Sequence, residues 1–151
     1  MANLPHPGRP SSPMILLPVL ALVAMAVLFL ARPSAVVEVS TGDFMLVTLF
    51  LGGGAAWLTG RAVANGWKPF ALVLAYSLLL TAAVRFCHFA LFKGTLFALD
   101  YYLVEAVLLF AIATLGFRSV RKQQMTVRYD WLYESAGPLS WRNKAGTNEA
   151  A

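Results

Sequence analysis

Four ionisable residues, Arg85, His88, Asp100 and Glu105, stand in otherwise apolar sequence on either side of Lys93-Gly94-Thr95. Charged groups inside apolar spans are costly unless paired, so they are the first residues to read for function. His88 is of the type that titrates near neutral pH, and with Glu105 and Arg85 it could pass a proton or bind an anion. If Lys93-Gly94-Thr95 turns the chain between two helices, His88 and Asp100 each lie about 9 Å from Gly94, with Arg85 and Glu105 about 13 and 16 Å away. The depths match in pairs. In a hydrocarbon core about 30 Å thick, the deeper pair falls near mid-bilayer, where an unpaired Arg costs roughly 2.5 to 3.5 kcal/mol.

Pairing is therefore expected. Arg85 and His88 share a helix face at i, i+3, whereas Asp100 and Glu105 point about 140° apart, so one of the two acids can look elsewhere. Asp100 could instead cap its helix near the interface. Three roles remain open for the set: a structural clasp closed at its outer end by Tyr101 and Tyr102, a proton or anion site, or a docking point for a polar residue on a partner helix. A quinone or lipid site at the same hairpin is a further alternative. Cys87 adjoins His88, but helix neighbours point about 100° apart and no third group orients them, so catalysis is not expected and the protein is read as a non-enzyme. One Cys and two His are too few for a structural zinc site, and no metal or cofactor is expected.

The elements that must position these residues are membrane helices. The chain of 151 residues is 59% apolar and 13% charged, with mean hydropathy +0.67. A soluble domain carries about a quarter charged residues. The net charge of +5 does not point to nucleic acid, because the basic residues flank apolar segments. The fold class expected is all-α and integral to the membrane: four transmembrane helices, a three-helix core plus an N-terminal helix, followed by a C-terminal juxtamembrane amphipathic helix.

Residues 1–13, rich in Pro with Gly and Ser, read as a disordered tail. Helix one is expected over 14–31, with a cleaved signal peptide as the competing reading. Thr41-Gly42-Asp43 favours a helix start, and helix two follows over 44–64. In it Gly52, Ala56, Gly60 and Ala64 recur every fourth residue, a smooth stripe that lets another helix approach closely. Contact within the chain is favoured over a dimer seam. Gly52-Gly53-Gly54 lacks the Lys and Ser/Thr of a phosphate loop. Helix three is expected over 69–92 and helix four over 96–117, an antiparallel hairpin. Residues 118–134 are basic and aromatic: Met125, Tyr129, Leu132 and Tyr133 make a helical face, while Met125, Val127, Tyr129, Trp131 and Tyr133 fit a strand equally well. Continuity with helix four favours a helix, with Met125, Tyr129, Trp131, Leu132 and Tyr133 as a docking face. Residues 135–151 read as a flexible tail.

If the N-terminus is cytoplasmic, nine Lys/Arg (Arg9, Arg61, Lys68, Arg118, Arg121, Lys122, Arg128, Arg142, Lys144) lie inside and two (Arg32, Lys93) outside. The positive-inside rule selects that orientation, with both termini cytoplasmic.

The segments LGGGAAWLTGRAVA, VRFCHFALFKGTL, DYYLVEAVLLF, LGFR and YDWLYE together resemble a small, uncharacterised bacterial integral-membrane family, a domain of unknown function. The resemblance covers about Phe44 to Glu134. It implies a three-helix core and, because members are sometimes encoded beside branched-chain amino-acid ABC transporters, an accessory role near an uptake system. It carries no catalytic residues. The function expected is that of an accessory or assembly subunit of a larger inner-membrane complex, whose partners are the lipid bilayer and another membrane protein or itself. The alternative is a small proton- or anion-coupled carrier acting as an oligomer through Arg85, His88, Asp100 and Glu105.

Overall fold

The computed structural model describes residues 12–144. The expected disordered tail falls mostly on residues outside that range. Four helices are each long and apolar enough to cross a membrane: α1 (Pro13–Ala31), α2 (Thr41–Asn65), α3 (Ala71–Phe92) and α4 (Leu99–Arg128). Pro13 sits at the first helical position of α1, where its missing N–H costs nothing. Of α1's residues only Pro18 is buried, so this helix turns an almost wholly apolar surface outward.

A short 3₁₀ turn, Pro33–Ala35, leads back toward the bundle. Ser40 then caps α2, its Oγ accepting from the Asp43 N–H at 3.1 Å and donating to Asp43 Oδ2 at 2.6 Å. Within α2, residues Met45–Gly52 wind as a π-helical stretch; such wide turns shift side-chain register and often mark functional positions. Trp67 and Lys93, both at positive φ (55° and 58°), close α2 and α3 in the left-handed conformation.

α4 is the central element, packed on α1, α2 and α3. Its core contacts include Leu109, Ala113 and Phe117 against Val47, Ala56, Val63 and Val84. α2 and α4 cross with no room for a side chain between them. A Cβ built on Gly60 would lie 1.8 Å from the Ala113 carbonyl oxygen, and one on Gly116 would lie 2.4 Å from that of Trp57. Backbone therefore meets backbone, and the stripe Gly52, Ala56, Gly60 and Ala64 is buried inside the chain.

Two expectations are corrected at the C-terminal end. No separate amphipathic helix follows the last span: α4 continues unbroken to Arg128, since no Pro or Gly interrupts it between Gly116 and that point. Nor is the fold all-α with a loose tail over 135–144. Tyr133–Gly137 (β1) and Ser140–Asn143 (β2) form an antiparallel hairpin, pairing Tyr133 with Asn143 and Ser135 with Trp141. Trp141 is what anchors it. The indole is buried over the guanidinium of Arg118, 4.3 Å from Cζ to ring centroid, and Arg118 Nη2 donates to Leu139 O at 3.1 Å.

Candidate functional site: a buried charge clasp

The geometry of α2, α3, α4 and the residue 32–40 connection brings six polar side chains to one end of the bundle. Arg85 and His88, one turn apart on α3, face Glu105 on α4 and Thr48 in the π-helical stretch of α2. Arg85, His88 and Glu105 are each at most 2% exposed. Glu105 Oε1 lies 3.4 Å from His88 Nε2 and 3.8 Å from Arg85 Nη1. Thr48 Oγ1 bridges the acid and the imidazole, 2.7 Å from His88 Nε2 and donating to Glu105 Oε1 at 3.4 Å. With Thr48 donating to the acid, His88 Nε2 carries the hydrogen that Thr48 accepts.

Arg85 does not stay near the centre of its helix. Its side chain reaches toward the α3–α4 turn, where Nε donates to Thr95 O at 2.9 Å and Nη2 forms an ion pair with Glu38. Glu38 in turn accepts from the Thr95 N–H at 2.8 Å. The connection between α1 and α2 is thereby tied to the α3–α4 turn. Glu38 is half-buried; desolvation pushes its carboxyl pKa up, but hydrogen bonds from Thr95 and Arg85 and the charge of Arg85 together hold it below the usual carboxylate range. Tyr101 closes the same end, its ring 5.4 Å from Arg85 Cζ and its hydroxyl donating to Ser34 O at 3.0 Å. Tyr102 donates to Leu78 O at 3.0 Å.

Asp100 stands apart from this set. It is exposed in the first turn of α4, where the helix dipole favours a carboxylate, and it contacts neither Arg85 nor His88. Glu38 and Thr48 are the members that spacing within the α3–α4 hairpin could not supply, while Thr95 belongs to the expected turn and joins through its backbone. Two buried atoms of the set have no protein partner, His88 Nδ1 and Glu105 Oε2. With Arg85 balanced by Glu38, one proton held between His88 and Glu105 makes the whole set electrically neutral, the state a low-dielectric interior favours. Among the described residues, no three His, Cys, Asp or Glu side chains converge as a metal site.

The opposite end of the bundle is basic and aromatic. Arg121 lies over Trp67 (4.7 Å) and Phe117 (5.1 Å) and donates to Lys68 O at 3.1 Å, while Gln124 donates to Ala64 O at 2.9 Å. These bonds pin the α2–α3 turn to α4. Trp67, Tyr129 and Trp131 form a run of ring contacts, 6.4 and 5.6 Å between successive centroids. Of the expected docking residues, Met125 is half-buried on α4, Tyr129 and Trp131 are exposed in the turn before the hairpin, Leu132 is half-buried there, and Tyr133 begins β1.

The class that this build defines is a small bundle of four helices, each able to cross a membrane, locked at one end by buried ion pairs and capped at the other by a hairpin. Residues 39–144 match the family described as Domain of unknown function (DUF6867), and the chain belongs to that family. The match takes in α2, α3, α4 and the hairpin; α1 and Glu38 lie before it. No curated protein and no solved structure matches the chain.

Proposed function

We propose that this protein is a multi-pass protein of the bacterial inner membrane, with both termini cytoplasmic, acting as a non-enzymatic accessory or assembly subunit of a larger complex. The observation that carries this reading is the ordered aromatic surface at the basic end. Trp131 (62% exposed), Tyr129 and Trp67 stand in ring contact on a frame fixed by Arg121, Gln124 and Trp141. Exposed aromatics on a rigid frame are the composition of an interface core. The clasp at the other end supports the same reading, since it binds the bundle's own elements together. An amino-acid ABC uptake system is the candidate complex, on the family resemblance. Photo-crosslinking from position 131 in intact cells tests it: a discrete protein adduct is expected, and adducts to lipid alone would overturn it. The orientation is tested by Asn143→Cys, which is expected to resist external thiol reagents; rapid labelling there would reverse it.

A second reading rests on His88 Nδ1 and Glu105 Oε2, buried without partners. A small proton- or anion-coupled carrier, working as an oligomer, would use such atoms. Glu105→Gln separates the two: a carrier loses transport while remaining assembled, whereas a subunit keeps its partner's activity unless its abundance falls.

A further inference from the structure

Between the end of α2 and the start of α3 lies an open cleft of about 470 Å³, lined by Thr59, Ala62, Val63, Gly66, Lys68 and Tyr76. Three polar groups converge on it, and none has a protein partner among the described residues. The contrast with their counterparts is sharp. Thr81, Thr114 and Thr126 each donate to the carbonyl four residues back and Thr48 donates to Glu105, but Thr59 has no such acceptor. Tyr101 and Tyr102 donate to backbone carbonyls, whereas the Tyr76 hydroxyl has no such acceptor. Lys68 has no acid beside it, although its carbonyl is held in place by Arg121.

The three groups are arranged by depth. Lys68 sits beyond the helix ends, with Tyr76 about 8 Å along α3 from Ala71 and Thr59 about 9 Å along α2 from Asn65, so the two hydroxyls lie at similar depth below it. A cation at the rim with two hydroxyl donors below it, flanked by apolar Ala62 and Val63, matches a phosphate headgroup above two ester carbonyls and the start of acyl chains. The charge around the cleft sets the sign. Residues 61–68 and 118–144 hold two and six Lys/Arg, eight together, against two acids, Asp130 and Glu134. Basic pockets between helices at a membrane surface recruit anionic headgroups.

We propose that this cleft binds one anionic glycerophospholipid, its phosphate on Lys68 and its ester carbonyls accepting from Thr59 and Tyr76. The test uses the full chain purified in mild detergent, with bound lipid counted by native mass spectrometry during titration with phosphatidylglycerol, phosphatidylcholine or inorganic phosphate. One phosphatidylglycerol per chain is expected to persist, and phosphatidylcholine not to displace it. Lys68→Gln should weaken retention about fivefold, and Thr59→Val with Tyr76→Phe about tenfold. Lys122→Gln, a basic residue outside the cleft, should change nothing. Equal loss from Lys122→Gln would mean diffuse charge attraction and would overturn the site. So would unchanged retention in the hydroxyl variant, equal binding of phosphatidylcholine, or displacement by inorganic phosphate at matched concentration, which would make it a site for the free anion.

Discussion

Gly60→Ala tests the packing on which every other feature depends. The added Cβ would lie 1.8 Å from Ala113 O, 2.7 Å from Ala113 C and 2.8 Å from Phe117 N, all backbone atoms of α4. Ordinary contact begins at 3.4 Å, so the two helices must part by about 1.6 Å along that line, the difference between 3.4 and 1.8. No rotamer change can relieve a clash with backbone. A gap of 0.5 to 1 Å already forfeits a quarter to a half of each dispersion contact across it, and overpacking costs typically about 1 to 3 kcal/mol. A loss of about 3 kcal/mol is expected here, roughly 6 to 12 °C in Tm if the unfolding entropy resembles that of a soluble domain of this length. Gly54→Ala is the control, because nothing lies within 4 Å of its Cβ position, and it should stay within about 0.5 kcal/mol of the parent. Thermal unfolding of both variants in one detergent reads the difference. Equal melting of the two would refute the backbone-to-backbone crossing.

The clasp yields two further predictions. Arg85→Ala leaves Glu38 without its cation and should cost about 3 to 5 kcal/mol; adding Glu38→Gln removes the orphaned charge and should restore part of that loss, with equal damage in both variants counting against the pairing. Because the folded pKa of Glu38 lies below its unfolded value of 4.5, its stabilising effect is fully present above pH 4.5 and is lost as pH falls through the folded value. Unfolding measured between pH 6 and 3 should therefore show a decline that is shallower in Glu38→Gln, and identical slopes would remove Glu38 from the clasp.

The four long helices were legible because hydropathy and length suffice to find them, and the observed ends fall within a few residues of those expected except at α4 and the start of α2. Thr41-Gly42-Asp43 was recognised as a helix start, and the structure begins α2 there, under the Ser40 cap. Helix geometry put Arg85 and His88 on one face and matched Arg85 with Glu105 in depth, but it left open which of Asp100 and Glu105 would meet that face; the structure selects Glu105. Glu38 was not legible, because nothing local ties a loop acid to an arginine 47 residues away. Thr48 was hidden for a different reason: one hydroxyl in an apolar run carries no periodic signal, and the π-helical winding that sets its facing has no clear sequence mark. Asp100 was over-read, since its place in the first turn of α4 already accounts for it. At the C-terminal end the pattern of Met125 to Tyr133 fitted both periods, and the chain in fact uses both, helix through Arg128 and strand from Tyr133. The hairpin has few large apolar residues, and what orders it is one distant residue, Arg118, which packs on Trp141 and donates to Leu139 O.

Copurification from native membranes, at endogenous expression and in mild detergent, measures the proposed role most directly. The account predicts a stoichiometric protein partner that stays with the parent chain and is lost from Trp131→Ala. Recovery of the chain alone, or only as copies of itself, would contradict it.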